Sequence, residues 1–283
     1  MSEQTIANKL GPAFKEFAQR IKHYTQLFVL TGAGISAESG IPVYRDRSGK
    51  WQRSDPIQHQ EFLSQPEKRK RYWARSMVGW RHVSQAKPTA GHLTLANLET
   101  TGRLSQLVTQ NVDGLHQKAG STKVIDLHGR LSEVICLDCA QTTSRAALQT
   151  RLESLNPDLT NYVAALLPDG DVDIDDYDLN KVIVPKCDSC GGILKPEVVF
   201  FGDNVPRARV EKATNALDRS DAMLVVGSSL QVFSGYRFCK QAAKSNTPIF
   251  CINLGHTRAD DLFSAKLDMD AQQALIQLFE QQP

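Results

Sequence analysis

The sequence lacks a long hydrophobic run, a marked excess of charge of one sign, and internal repeats. No apolar stretch approaches the roughly 18 residues of a membrane span, so we expect no membrane partner. Lysine and arginine number 33 against 31 aspartate and glutamate residues, a formal net charge of +2, so we expect no nucleic-acid partner. The N-terminal segment has helical apolar spacing but no signal-peptide core. It predicts a docking helix and a cytoplasmic location.

With 283 residues, of which 41% are hydrophobic, the chain can bury one large core and a smaller lobe. Short apolar runs predict strands near 27–30, 104–108, 123–127, 222–226 and 248–252. Helical stretches are predicted near 89–100, 206–218, 235–245 and 270–281. This alternation indicates an α/β fold with a doubly wound parallel sheet.

The first predicted strand leads into Gly32, Gly34 and Ala37, which have the G-x-G-x-x-G/A spacing of dinucleotide-binding turns. A helix should start there, with its N–H groups facing phosphates. A glycine-rich turn without a ligand is the alternative. A dehydrogenase would carry an acidic residue at the end of a second strand about 20 residues further on. Asp46 and Asp55 lie in a stretch without apolar alternation, so hydride transfer is disfavoured.

Further polar blocks follow the apolar runs or replace the missing second strand. They are GIPVYR at 40–45, TQNVDGLH at 109–116, DLHG at 126–129, GSS at 227–229 and INLG at 252–255. The carboxyl ends of the strands in such a sheet share a ligand crevice, so these blocks predict one site. His128 closes an apolar run, and a neutral imidazole there suits a general base. His116 is the rival, but its place inside a predicted helix favours a structural role.

Four cysteines form two CxxC pairs, Cys136, Cys139, Cys187 and Cys190. Four thiolates predict a closed, structural Zn²⁺ site. The segment between the pairs is longer than in the usual zinc ribbon, so it must loop out. Disulfides are the alternative, disfavoured because the chain shows no secretory signal. Cys239 and Cys251 stand alone in apolar contexts and are interpreted as core residues.

These blocks resemble the sirtuins, whose signature GAG-x-S-x-x-SGIP-x-[FY]-R is reproduced at 32–45. The resemblance covers the chain from about residue 25 to the C-terminus. Stretches such as RYWARSMVGW at 71–80 and PDGDV at 168–172 bring it nearest to the class II sirtuins. It implies a Rossmann-like NAD-binding domain and a small lobe, with NAD and substrate between them. The large domain comprises 1–42, 89–130 and 198–283; the small lobe has a helical part, 43–88, and a zinc-binding part, 131–197.

The resemblance implies the activity of the family, which is NAD-dependent removal of acyl groups from protein lysines. Nicotinamide is released, and the acyl group is transferred to ADP-ribose. The resemblance makes His128 the base and places Asn111 and Asp113 at the nicotinamide and ribose. The implied NAD-binding residues are Gly32, Ala33, Gly34, Ser36, Gly40, Ile41, Tyr44, Arg45, Gln110, Asn111, Val112, Asp113, Gly227, Ser228, Ser229, Asn253, Leu254, Gly255 and Ala271. The implied substrate-binding residues are Val199, Phe200, Phe201, Val232, Tyr72 and Arg75. Mono-ADP-ribosyl transfer to protein and NAD sensing without turnover are the alternatives.

An acyl-lysine peptide should add in an extended form between 192–201 and 227–233, mainly through its backbone. Tyr72 and Arg75 fit the Tyr-x-x-Arg pattern by which class III sirtuins hold acidic acyl groups. The alternative is that Arg75 pairs with the acidic 169–178 loop, which leaves a channel for longer apolar acyl groups. That loop lacks the glycine and glutamate of a calcium loop and is interpreted as solvated or lid-like. We expect a monomer.

Overall fold

A computed structural model gives the fold of residues 11–41, 56–160, 162, 174 and 177–279. Tyr44, Arg45 and most of the acidic 169–178 loop lie outside these residues. The described strands are β1 (Leu27–Thr31), β2 (Leu104–Thr109), β3 (Val124–Asp126), β4 (Gly129–Cys136), β5 (Thr142–Ser144), β6 (Leu194–Val198), β7 (Ala222–Val226), β8 (Ile249–Ile252) and β9 (Ala265–Leu267). The described α-helices are α1 (Pro12–Ile21), α2 (His59–Ser64), α3 (Pro66–Gln85), α4 (Ala90–Thr100), α5 (Leu115–Lys118), α6 (Arg145–Leu155), α7 (Arg207–Leu217), α8 (Phe233–Lys244) and α9 (Ala271–Phe279).

The central sheet has the order β3-β2-β1-β7-β8-β9, and its neighbouring strands pair in parallel. The chain leaves β1 towards β2 on one side and later returns to β7 on the other. This reversal makes a crevice at the carboxyl ends of β1, β2 and β7, where such sheets bind ligands. The predicted α/β class and the five predicted strands are confirmed. The edge strand β9 was not predicted.

Helices cover both faces of the sheet, and β1 shows why. Its five residues are all buried. Leu27 and Val29 pack in one apolar cluster with α1, α4 and α9, whereas Phe28 and Leu30 pack in a second with α7 and α8. Side chains of a strand alternate between faces, so a continuous apolar run is required when both faces are covered.

The two lone cysteines belong to the second apolar cluster. Cys239 and Cys251 are each 0% exposed. Burial raises the pKa of the Cys239 thiol to about 12, so it stays protonated at neutral pH. Their interpretation as core residues agrees with this placement.

A small antiparallel sheet, in the order β5-β4-β6, packs with α2, α3 and α6 around a third cluster. Arg145 on α6 is 1% exposed and lies between two indole rings. Its guanidinium carbon is 5.5 Å from the ring centroid of Trp73 and 4.9 Å from that of Trp80. It donates to Oε1 of Gln149 and to the carbonyl of Ser76. The two tryptophans therefore pack against a cation that is already paired by hydrogen bonds.

The helix α1 begins at Pro12, which suits the first turn because proline needs no N–H partner there. It buries Phe17 and Ile21 in the first cluster. This agrees with the predicted docking helix, whose earlier residues are outside the described ranges. Within those ranges, none of the helices is both long and apolar enough to cross a membrane.

Candidate active site

A cavity of about 810 Å³ opens at the carboxyl ends of β1, β2 and β7 and reaches the small lobe. Most of the residues expected to bind NAD or substrate line it. They are Gly32, Ala33, Gly34, Ser36, Ile41, Tyr72, Gln110, Asn111, Val112, Asp113, His128, Val199, Phe200, Phe201, Gly227, Ser228, Ser229, Val232, Asn253, Leu254 and Ala271. Gly40, Arg75 and Gly255 are described but are not among the lining residues. The sequence blocks therefore converge on one cavity.

The glycine turn packs against the loop after β7. The amide of Gly34 donates to the carbonyl of Gly227 at 2.8 Å. A Cβ atom on Gly34 would lie 2.8 Å from the Cα atom of Gly227, closer than real Cβ contacts allow. Glycine is thus required here for loop-to-loop packing, a role that the spacing motif does not predict.

The helix expected after this turn is present as a 3₁₀-helix, Ala33–Ser39, rather than an α-helix. Gly40 ends it in the left-handed region at φ 79°, where glycine is favoured. Ile41 follows and lines the cavity. The 3₁₀-helix therefore carries the chain from the glycine turn after β1 to Ile41 in the cavity wall.

Asn111 and Asp113 meet through Ser36. The side-chain amide of Asn111 donates to Oγ of Ser36 at 3.0 Å and to the carbonyl of Gly32 at 3.1 Å. The Ser36 hydroxyl donates to Oδ2 of Asp113 at 2.8 Å. These bonds fix the amide and the carboxylate against the glycine turn, in one polar wall of the cavity.

Asp113 is partly buried in the cavity wall. Burial raises the pKa of its carboxyl group, while hydrogen bonds from the Leu115 amide and the Ser36 hydroxyl act in the opposite direction. A carboxyl group held in this way is suited to accept hydrogen bonds from ribose or amide groups of a ligand.

His128 is held at both ring nitrogens. Nδ1 lies 2.9 Å from the carbonyl oxygen of Gln110, and Nε2 lies 2.7 Å from Oγ of Ser234. A carbonyl can only accept, so the neutral ring carries its proton on Nδ1. Nε2 is then the atom able to take a proton. Burial is the largest cause that lowers the pKa of His128, so the ring is neutral at pH 7.

His116 has a different environment. It is 1% exposed, and its Nε2 atom lies 2.9 Å from Oγ1 of Thr31 beneath the sheet edge. Burial, followed by the neighbouring His92, lowers the pKa of His116 well below its ordinary value. The described cavity lining contains His128 and not His116. This geometry favours His128 as the base.

Aromatic rings form the small-lobe side of the cavity. The ring centroids of Tyr72, Phe62 and Phe200 lie 5.2–5.5 Å apart. The ammonium nitrogen of Lys195 lies 4.3 Å from the Phe200 centroid. Tyr72 and Phe200 line the cavity, whereas Arg75 is half-buried on α3 outside the described lining. The wall facing the cavity is therefore apolar and aromatic.

The loop after β8 carries three further residues of the predicted NAD site, Asn253, Leu254 and Gly255. Asn253 is 8% exposed, and its side-chain amide donates to the carbonyl of Leu254. Gly255 turns away from the cavity, with its amide bonded to Asp268 at 2.8 Å and its φ at 77°. It shapes the loop rather than the cavity surface.

The four cysteines of the CxxC pairs come together beside β4 and β6. Their sulfur atoms all lie within 4.8 Å of one another, and all four thiols are free. The sulfur of Cys136 lies 3.5 Å from that of Cys190, and Cys139 lies 3.8 Å from Cys187. Sulfurs that bind one zinc ion tetrahedrally at about 2.3 Å are about 3.8 Å apart. The cluster thus fits Zn²⁺, and none of its four cysteines is among the described residues that line the cavity.

Sequence reasoning missed several lining residues, of which four bear charge or contact His128. They are Asp203, Ser234, Arg237 and Asp270. Ser234 and Arg237 stand near the start of α8, close after the Gly-Ser-Ser loop. Their nearness to the Gly-Ser-Ser loop in the sequence could have indicated that they lie at the cavity edge. The side chains that they contact could not be predicted, because those contacts depend on the fold.

Residues 32–234 match the model of the Sir2 family. The chain is 52% identical over 280 residues to an "NAD-dependent protein deacetylase" of Xanthomonas campestris pv. campestris (strain 8004), an alignment that covers 99% of this chain and 94% of that protein. It is 48% identical over 257 residues to the "NAD-dependent protein lipoamidase sirtuin-4, mitochondrial" of Bos taurus, covering 90% and 82%. A solved structure described as "Sir2-p53 peptide-NAD+" superposes with a TM-score of 0.74 at 31% identity, covering 94% of this chain and 97% of the other. The chain belongs to the Sir2 family.

Proposed function

We propose that this protein is an NAD-dependent protein lysine deacylase, which releases nicotinamide and transfers the acyl group to ADP-ribose. The observation that carries the proposal is the fixed His128 ring in the same cavity as the glycine turn and Asn111. The relatives named as NAD-dependent deacetylases and a lipoamidase support it.

The residues of the cavity fit NAD. Asn111 and Asp113 would hold the nicotinamide and ribose end, and Ser36 fixes both side chains. Gly32, Gly34 and Gly227 form the narrow turn where the phosphates would lie. NAD supplies the ribose carbon that receives the acyl oxygen when nicotinamide leaves. These assignments, with the NAD and substrate residues and the domain boundaries predicted from the sequence, are part of the proposal.

His128 acts as the general base in this proposal. Its Nε2 atom accepts a proton from the hydroxyl group that attacks the acyl carbon, and the Nδ1–H bond to Gln110 keeps the ring in the required tautomer. Asp113 and Asn111 orient the ligand. The aromatic wall of Tyr72 and Phe200 limits the access of water to the acyl group.

We expect a preference for acyl groups larger than acetyl. The channel wall of Tyr72 and Phe200, with Phe62 packed behind both rings, offers apolar surface to a longer chain. Arg75 is the sequence-based candidate for reading an acidic acyl group. The relatives carry both deacetylase and lipoamidase names at similar identity, so a panel of acyl peptides is needed to decide the substrate.

The test is product analysis by mass spectrometry with isotopically labelled NAD and peptides bearing acetyl, butyryl, lipoyl, succinyl and glutaryl lysine. Free lysine, nicotinamide and O-acyl-ADP-ribose in equal amounts are expected. Label on the protein or peptide instead would mean mono-ADP-ribosyl transfer. NAD that binds without turnover on any substrate would mean a sensing module.

The cysteine cluster would hold a structural zinc ion in this proposal. Four thiolate ligands leave no open position for a water molecule, so the ion would stabilise the small lobe and take no part in the reaction. Acyl-lysine proteins or peptides are the proposed partners. A cytoplasmic location, a monomeric state and membership of the class II subgroup stay predictions from the sequence.

A further inference from the structure

Arg237 carries a positive charge on the cavity wall. It is the only arginine or lysine among the described residues that line the cavity. Its Nε atom is buried and has no hydrogen-bond partner. In the described part of the chain, its guanidinium forms neither an ion pair nor a hydrogen bond. Buried polar groups of folded proteins are nearly always paired, so this site is incomplete without a ligand.

The helix holds the guanidinium in place. Phe233 lies one turn before Arg237 on α8, and the guanidinium carbon is 5.3 Å from the ring centroid of Phe233. The next two residues, Phe238 and Cys239, are each 0% exposed in the core. The buried side of α8 therefore fixes the backbone from which Arg237 extends, and the ring contact orients its planar head.

The carboxylates of the described lining have other neighbours. Asp113 accepts from Ser36, Asp270 accepts from the amide of Gln272, and Oδ2 of Asp203 lies 3.3 Å from Nδ1 of His59. None of these three carboxylates forms an ion pair with Arg237 in the described part of the chain. The guanidinium is therefore available to an anion from outside the protein. A planar guanidinium binds a carboxylate through two parallel hydrogen bonds.

We propose that Arg237 binds a carboxylate of the acyl-lysine substrate, supplied by an acidic residue that flanks the lysine or by the end of an acidic acyl chain. The inference rests on the proposed deacylase function and deepens it. Val232 and Phe233 are 39% and 49% exposed at the cavity edge beside Arg237. They lie on the 227–233 side of the expected peptide site, so a bound substrate passes close to the guanidinium.

The phosphates of NAD are the competing anion. The glycine turn that fits them involves Gly32 and Gly34, which follow β1, and Gly227, which follows β7. Arg237 is instead one turn beyond Ser234, which contacts the base His128. Arg237 is therefore assigned to the substrate side of the base, and a measurement of NAD affinity separates the two ligands.

The experiment compares the full-length protein, Arg237→Gln, Arg237→Lys and the control Lys240→Gln. Lys240 is exposed on the same helix and outside the described cavity lining, so its variant removes one positive charge from α8 without touching the cavity. The peptides combine neutral or acidic flanking residues with a butyryl or a glutaryl lysine. Peptide Kd is measured by fluorescence anisotropy and kcat/KM by nicotinamide release, so binding is tested even if turnover is absent.

We expect Arg237→Gln to lower the acidic-to-neutral ratio of peptide affinity by about 10- to 100-fold, the value of a charge-assisted hydrogen bond. Arg237→Lys should lose part of that ratio, and Lys240→Gln should keep it. The effect should fall on KM rather than kcat, because the carboxylate is away from the reacting atoms. If the ratio is lost for peptides with acidic flanking residues, the bound carboxylate belongs to the peptide. If it is lost for glutaryl lysine, the bound carboxylate belongs to the acyl chain.

An unchanged ratio in Arg237→Gln would overturn the inference, and so would a raised KM for NAD with that ratio unchanged. Absence of turnover in the wild-type protein on every peptide would instead reject the proposed function. The anisotropy ratio would then still decide whether Arg237 reads a carboxylate.

Discussion

The hydroxyl oxygen of Ser234 lies 2.7 Å from Nε2 of His128, on the ring nitrogen opposite the bond to Gln110. Because Nδ1 holds the ring proton, the serine hydroxyl donates to Nε2 in the free protein. A substrate hydroxyl must take the place of this donor when Nε2 accepts its proton. Ser234 is thus a positioning residue for the base, which it keeps aligned and neutral before substrate binds.

We expect Ser234→Ala to lower kcat/KM by about 2- to 10-fold, the value of one net hydrogen bond of roughly 0.5–1.5 kcal/mol. Loss of the donor removes a contact that favours neutral imidazole, so the pKa of His128 should rise and the acid limb of the pH profile should move to higher pH. Ser234→Thr, which retains a hydroxyl, should restore most of the rate. Ser245→Ala, at the exposed end of α8, is the control. A lower melting temperature with an unmoved pH profile would assign Ser234 to structure alone.

Replacement of His128 by alanine should remove turnover by about 10²- to 10⁴-fold, because a proton acceptor is lost. NAD binding, measured by calorimetry, should persist. Burial lowers the pKa of His128 from 6.5, and the base must be neutral, so the acid limb of kcat/KM should have its midpoint below pH 6.5. His116→Asn should lower thermal stability more than turnover. Activity retained in His128→Ala and lost in a folded His116→Asn would reverse the assignment.

The purified protein should contain about one Zn²⁺ per chain, as four free thiols converge within 4.8 Å. Metal removal by a chelator should lower the melting temperature before any separate catalytic loss appears, because the ion holds β4 and the 187–190 turn together. Cys139→Ser should reproduce this effect. Cys239→Ala changes a residue of the second apolar cluster, so this variant should retain the zinc ion. Elemental analysis that finds no zinc in folded, active protein would contradict the prediction.

Sequence reasoning located the sheet and the cavity because both depend on local patterns. A buried parallel strand such as β1 must be apolar throughout, and Gly32 and Gly34 follow it directly. The edge strand β9 was not predicted, because its three residues, one of which is Lys266, are too few to show a strand pattern. The role of Gly34 was predicted from the phosphate motif, yet its close neighbour is Gly227, which only the folded chain brings near.

The side-chain partners in the cavity could not be predicted in the same way. Ser234 is 106 positions from His128 in the chain, and the two meet only because α8 begins at the carboxyl end of β7. Arg75 and Tyr72 lie on the same helix, but only Tyr72 is among the described residues that line the cavity. The sequence pattern does not distinguish the two positions. A lone arginine such as Arg237 likewise has no local signature.

His92 gives the last prediction, which concerns stability. It is 0% exposed below the glycine turn, and its Nδ1 atom lies 2.8 Å from Oγ1 of Thr89. Burial lowers the pKa of His92 from 6.5 to about 4. In the unfolded chain the imidazole takes up a proton below pH 6.5, whereas in the folded chain it stays neutral until about pH 4. Its contribution to stability is therefore fully present above pH 6.5 and is lost as the pH falls through that window.

The loss should amount to about 1.4 kcal/mol per pH unit for this residue, or on the order of 3 kcal/mol across the window. His116 is buried beside it, with ring centroids 4.6 Å apart, and its lowered pKa acts in the same direction. Urea unfolding from pH 7.5 to 4.5 should show the slope, and His92→Gln should reduce it by about 1.4 kcal/mol per unit. His82→Gln, at an exposed position on α3, is the control. A slope equal in wild type and His92→Gln would mean that the buried imidazole does not couple folding to pH, because protonation of His92 would then be the same in the folded and unfolded chains.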